Sequence, residues 1–108
     1  MNDMRYRLPY IRARLLSRTR YVYPDGSFIE SRIWLVPRTS RTPEGYKYSL
    51  VYIGRDGRRV LGYDNAEGKG HHKHLYGREY PVKFVSMDQL TWDFLSEVVR
   101  IRRSLDEG

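Results

Sequence analysis

All three histidines of the chain fall within four residues, in Tyr63-Asp64-Asn65-Ala66-Glu67-Gly68-Lys69-Gly70-His71-His72-Lys73-His74. Imidazole titrates near pH ~6.5 in model peptides, so one ring can accept a proton at neutral pH while another donates one. An extended backbone over 71–74 puts His72 and His74 on one face and His71 and Lys73 on the other. Metal-free cleavage of RNA by its own 2′-hydroxyl needs a base, an acid and cations on the phosphorane oxygens. His72 and His74 supply the acid–base pair. Lys69, with glycine on either side so that the backbone can approach a ligand, supplies the phosphate-stabilising cation. Asp64 is the carboxylate that orients a histidine, and Arg78 binds phosphate.

Two other readings use the same residues. His72 and His74 with Asp64 or Glu67 could hold a divalent ion for a metal-dependent nuclease. Lys69 and Lys73 weigh against a bound cation, and the chain has no His-Glu-x-x-His helix, so no metal or cofactor is expected. The segment could also be a solvated polar loop, which would leave a non-catalytic module that binds RNA or protein. Other chemistries lack their spacing. Gly68-Lys69-Gly70 is not a phosphate-binding P-loop, Gly54-Arg55-Asp56-Gly57 is a turn, and no Gly-x-Ser-x-Gly is present.

The elements that must position this cluster are mostly strands. Residues 10–23 alternate, with Arg12, Arg14, Arg18 and Arg20 on one strand face. Pro24-Asp25-Gly26 turns the chain into a second strand over 27–36, rich in Phe28, Ile29, Ile33, Trp34 and Val36. Residues 37–45 have loop composition. Tyr46–Ile53 reads as a tyrosine-rich strand, and Asp56-Gly57 is a hairpin turn into a fourth strand near 58–64. A glycine-rich polar stretch over 65–79 precedes a short strand near 80–85. A helix over 86–104 closes the chain. Ser86 caps it with Gln89 completing a capping box, and Met87, Leu90, Phe94, Val98 and Ile101 make one apolar stripe. Arg100, Arg102 and Arg103 gather at its end, where positive charge suits the dipole. The expected fold is α+β: a curved antiparallel sheet of about five to six strands with the C-terminal helix packed across one face. Residues 1–108 read as one domain, made of an extension (1–9), the sheet (10–85) and the helix (86–104).

Composition narrows the partners. The 108 residues carry 20 Lys+Arg against 13 Asp+Glu, a net charge of +7. Sixteen of the cations are arginine, and ten tyrosines accompany them. Arginine forks suit phosphate oxygens and aromatic rings stack on bases, so RNA is the expected partner, with Tyr48 and Tyr63 as candidate stacking residues. Residues 1–50 hold net +6 and the remainder +1, so the basic surface belongs to the first half. The chain has no cysteine, which excludes disulfides and thiolate chemistry. It has no apolar window of membrane-helix length and no signal-peptide core, so a cytoplasmic chain with no membrane partner is expected. Exposed sheet edges would allow a homodimer.

The order of these segments resembles a known family. A basic strand leads to Pro-Asp-Gly-Ser-Phe-Ile-Glu (24–30) and Ile-Trp (33–34), followed by Tyr46-Lys47-Tyr48-Ser49-Leu50-Val51-Tyr52. Then come Tyr63-Asp64-Asn65, Gly68-Lys69-Gly70, His72 and His74, Arg78-Glu79, a short strand and the helix. This pattern, over about residues 10–103, resembles the TumE family of toxin–antitoxin toxins. Its most specific part is Tyr-Asp-Asn-x-x-Gly-Lys-Gly-x-His-x-His. The resemblance implies an RNA-cleaving toxin neutralised by a cognate antitoxin, with His71 at a variable position of the motif. Arg12, Arg14, Arg18 and Arg20 would then form either a phosphate track or the surface that meets an acidic antitoxin.

Overall fold

A computed structural model describes residues 13–107 of the chain. Six strands run in sequence order across one sheet: β1 (Arg14–Val22), β2 (Phe28–Leu35), β3 (Tyr46–Ile53), β4 (Arg59–Asp64), β5 (His72–Leu75) and β6 (Arg78–Pro81). Every neighbouring pair is antiparallel, so the sheet is a meander of hairpins. A single helix, α1 (Met87–Glu107), follows. The α+β expectation holds.

Alternation sorts the sheet into two faces. Tyr48, Leu50 and Tyr52 of β3 and Leu61 and Tyr63 of β4 point to one side, where Leu90, Phe94 and Val98 of α1 cover them. These eight side chains are the buried core. The opposite face has no helix among the described residues. It carries Arg18, Arg32, Ser49, Asp64 and His72 along a single line of register partners, one from each of β1 to β5.

Local sequence explains the helix start but not its end. The Ser86 hydroxyl accepts from the Gln89 backbone N–H at 3.0 Å, as an N-cap should. The Gln89 side chain turns forward to Asp93 at 2.8 Å, so only half of the expected capping box forms. The helix runs past 104 to Glu107, with no basic residue in its last turn. Arg102 is drawn sideways instead. Its Nη1 donates to Ser27 Oγ at 2.8 Å and Tyr52 Oη at 3.0 Å and lies 3.4 Å from Asp25 Oδ2, while the guanidinium covers the Tyr23 ring at 3.6 Å. It thereby ties the helix to the β1–β2 turn that Pro24-Asp25-Gly26 makes. Arg102→Ala is expected to cost about 2 kcal/mol, the worth of hydrogen bonds to a charged donor plus a cation–π contact. That is a fall in Tm of roughly 10 °C for a domain of this size, read by thermal denaturation. A fall below about 2 °C would show that the tie carries no stability.

Two strand assignments need correction. The glycine-rich stretch over 65–79 contains β5 and the start of β6, and the last strand is Arg78–Pro81 rather than 80–85. The turn between them is Tyr76-Gly77, with φ of 49° and 83°. Both values are positive, as a two-residue type I′ hairpin demands, and tyrosine is an unusual residue there. The second correction lies in β1. Its register with β2 shifts between Leu15 and Ser17, a bulge that inserts one residue. Arg18 and Arg20 therefore share the helix-free face, while Arg14, opposite Leu35, has the other parity. Arg12 and the extension 1–9 lie outside the described residues.

Candidate functional site

The site begins at the end of β4, where Tyr63-Asp64-Asn65 does three separate jobs. Tyr63 enters the core and donates its hydroxyl to Glu97 Oε1 at 2.6 Å. Burial, together with that carboxylate, pushes its pKa up and keeps the phenol a donor. Asn65 is buried and ties the chain back to β3, accepting from the Tyr48 N–H at 3.1 Å and donating to Tyr46 O at 2.7 Å. Asp64, between them, faces the other way. Its Oδ1 accepts from the Ala66 N–H at 3.0 Å, closing the strand into a short 3₁₀ turn over Ala66–Gly68. The same oxygen lies 2.9 Å from His72 Nε2.

Gly68 and Gly70 bracket Lys69 at φ of 69° and 79°. These left-handed values return the chain as β5, and a side chain at either position would be strained. β5 then pairs with β4 so that His72 stands opposite Asp64 and His74 opposite Gly62. The 74–79 pairing across the Tyr76-Gly77 turn brings Glu79 opposite His74. Four side chains thus converge on the helix-free face. Besides the Asp64–His72 contact, His72 Nε2 is 3.4 Å from Glu79 Oε2, and His74 Nε2 is 3.5 Å from Glu79 Oε2 and 3.8 Å from Asp64 Oδ2. The two imidazoles meet edge to face with centroids 5.1 Å apart. His72 is only 8% exposed, and its Nδ1 bonds to Gly70 O at 3.1 Å. Lys69, His71, His72 and Glu79 line an open cleft of about 240 Å³ with Tyr80 and Pro81.

This cluster has the makings of a metal site as well. Asp64, His72 and His74 each offer a ligand atom, all within 4.8 Å of one another. Ligand atoms around a tetrahedral zinc stand roughly 3.3 Å apart, between the 2.9 and 3.8 Å that separate Asp64 from the two histidines. The side chain of Glu67 lies outside the described set.

Other expected site residues are placed elsewhere. His71 turns to the far side of β5, where its Nδ1 meets Tyr48 Oη at 2.8 Å and its Nε2 meets Glu44 at 2.9 Å. Its ring stacks on Phe84 with centroids 4.6 Å apart, a packed structural position. Tyr48 and Tyr63 are 2% and 4% exposed, which leaves no ring face for a base. Burial raises the Tyr48 pKa, with Asp64 and Glu44 adding to it, so Tyr48 stays protonated where it meets His71. Arg78 pairs with Leu75 and so takes the parity of the helix-bearing face, opposite to that of His74 and Glu79. Sequence reasoning misses Glu79. Its signal is the Tyr76-Gly77 turn, because a two-residue hairpin there sets 74 against 79.

Among the described residues, a small basic sheet protein thus gathers two histidines and two carboxylates on its helix-free face, and His72 and Glu79 share a cleft with the glycine-flanked Lys69. The chain matches the family model described as "Toxin TumE" over residues 2–103, nearly its whole length, and it belongs to that toxin family. The match takes in most of residues 1–9, which lie outside the resemblance read from motifs. Neither a curated protein nor a solved structure matches the chain. Among the described residues, no helix is long and apolar enough to cross a membrane.

Proposed function

We propose that this toxin is a ribonuclease that cleaves RNA through its own 2′-hydroxyl, with His72 and His74 as the acid–base pair. The observation that carries the reading is the 5.1 Å approach of the two rings, with His72 at the wall of an open cleft. The 2′ and 5′ oxygens lie on opposite sides of one phosphorus, so the base and the acid must both reach a single phosphate, as two neighbouring rings on one face can. His74 takes the 2′ proton, the 2′ oxygen attacks phosphorus, and the bond to the 5′ oxygen breaks as His72 gives that oxygen a proton. The products are a 2′,3′-cyclic phosphate and a 5′-hydroxyl. Gly70 O at Nδ1 and the Asp64 carboxylate at Nε2 hold the His72 ring in place. Lys69 places positive charge at the cleft for the phosphorane oxygens, and Asp64 and Glu79 orient the rings. Arg18 and Arg20 extend positive charge along the same face. A cognate antitoxin, acidic where it covers this face, is the natural inhibitor of such a surface in the cytoplasm.

The convergence of Asp64, His72 and His74 favours a second reading, in which they hold a divalent ion that activates water. The two readings exclude each other, because a ring nitrogen that binds metal cannot also carry a proton. Cleavage of mixed-sequence single-stranded RNA in EDTA separates them. Metal-free chemistry is expected to leave the rate unchanged within about twofold and to yield cyclic phosphate ends. Activity lost in EDTA and restored by added metal would overturn the acid–base reading and establish the metal one.

A further inference from the structure

The helix-free face holds a second concavity beside the histidines. It has a volume of about 330 Å³ and is lined by Arg32 and Trp34 of β2, Lys47, Tyr48 and Ser49 of β3, and Asp64 and Ala66. Trp34 stands opposite Lys47 in register, and Arg32 opposite Ser49. Neighbouring strands are roughly 4.8 Å apart, so an indole and two cations sit within one nucleotide's reach of one another. The Arg32 guanidinium has one long contact, 3.4 Å to Glu30, and its side chain is 48% exposed. Asp64 lines this groove and also touches His72, so the groove borders the cluster.

We propose that this groove is a binding site for single-stranded RNA, with one base stacked on Trp34 and the adjoining phosphates on Lys47 and Arg32. The inference deepens the ribonuclease reading and rests on it for the direction of the strand, since the phosphate next along reaches His72 and His74. Three features select a single strand over a duplex or a protein. A stacking platform takes an unpaired base from any sequence. Cations on two neighbouring strands follow a sugar–phosphate backbone. The groove borders, through Asp64, the histidines where a scissile phosphate is needed, a course that an acidic polypeptide has no reason to follow. The rings expected to stack, Tyr48 and Tyr63, are buried in the core, and Trp34 takes that part.

The two tryptophans give the test its signal. Trp92 is on α1, 68% exposed, so Trp92→Phe leaves Trp34 as the sole indole. The probe is a short 2′-O-methyl oligoribonucleotide of mixed sequence, which lacks the attacking hydroxyl and cannot be cut. Saturating probe is expected to quench Trp34 fluorescence. Trp34→Ala should raise Kd about tenfold and Trp34→Phe by less than threefold, since a smaller ring still stacks. Lys47→Ala should weaken binding and lower the slope of log K against log salt by about 0.7, the change for one phosphate fewer neutralised on a single strand. Quenching that is absent at saturation, or wild-type Kd in Trp34→Ala with its circular dichroism unchanged, overturns the proposal. So does quenching by polyglutamate but not by the oligonucleotide, which assigns the face to an acidic protein. Binding without turnover of ordinary RNA would sink the ribonuclease reading and leave the groove standing. Turnover with Trp34 silent would do the reverse.

Discussion

His72→Ala is expected to lower the rate of RNA cleavage by about 10²–10⁴-fold, the usual contribution of a positioned proton-transfer group. His74→Ala should cost a similar factor, and the double variant little more than either alone, because the two act in one step. A substrate with an activated leaving group distinguishes their roles. An aryl phosphodiester of a nucleoside 3′-phosphate expels an oxyanion stable enough to leave unprotonated. His72→Ala should recover most of its loss on that substrate, whereas His74→Ala should not, since the 2′ proton must still be removed. Recovery by His74→Ala instead would exchange the assignments. Equal loss in both would remove the acid–base division and point to ligands of a metal. Circular dichroism should stay unchanged in both variants, because neither ring belongs to the apolar core.

The parts of this architecture that are legible in the sequence are those set by short-range rules. β3 reads at its true bounds, Tyr46–Ile53, because the run is rich in tyrosine and β-branched residues and follows the loop composition of 37–45. The two Asp-Gly turns mark the β1–β2 and β3–β4 hairpins, and Ser86 marks where the helix begins. That His72 and His74 share a face follows from strand alternation alone. The readings that fail depend on backbone exceptions. β5 reads as part of a loop because Tyr76 adopts φ of 49°, a conformation expected of glycine or asparagine. Missing that turn conceals Glu79, the second carboxylate of the cluster.

The bulge in β1 is a similar case. It leaves no mark on the run of arginines, yet it reverses the face of Arg14 relative to Arg18 and Arg20. Tertiary packing decides the rest. A tyrosine in a strand stacks on bases or fills a core, and only the position of α1 settles the matter for Tyr48 and Tyr63. Arg102 reads from sequence as serving the helix dipole. The turn at Asp25 and Ser27 lies too far along the chain for sequence to name it as the partner.

The same α1 supports the histidines from behind. Lys73 lies between His72 and His74 and points to the helix side, where its Nζ donates to both oxygens of Glu97 at 3.1 Å. Glu97 also accepts from Tyr63 at 2.6 Å, so one carboxylate holds β4 and β5 to the helix. Its side chain is 11% exposed and that of Lys73 26%. Removing one partner of such a pair strands the other charge, at a cost of about 3 kcal/mol or more. Glu97→Ala should therefore lower Tm by more than about 10 °C, a large share of a stability that is typically 5–15 kcal/mol. Lys73→Met with Glu97→Leu removes both charges and should restore most of the loss, since an apolar replacement of a buried pair is often neutral. Tyr63 would still lack its acceptor, so full recovery requires Tyr63→Phe as well. Thermal denaturation of the single, double and triple variants reads each step. A single-variant loss below about 1 kcal/mol would show that water satisfies Lys73 and that β5 is held by its ladder alone. Cleavage measured well below each Tm should persist in the triple variant, because its substitutions all lie on the face away from His72 and His74 and leave the 5.1 Å spacing of the rings to the strand pairing.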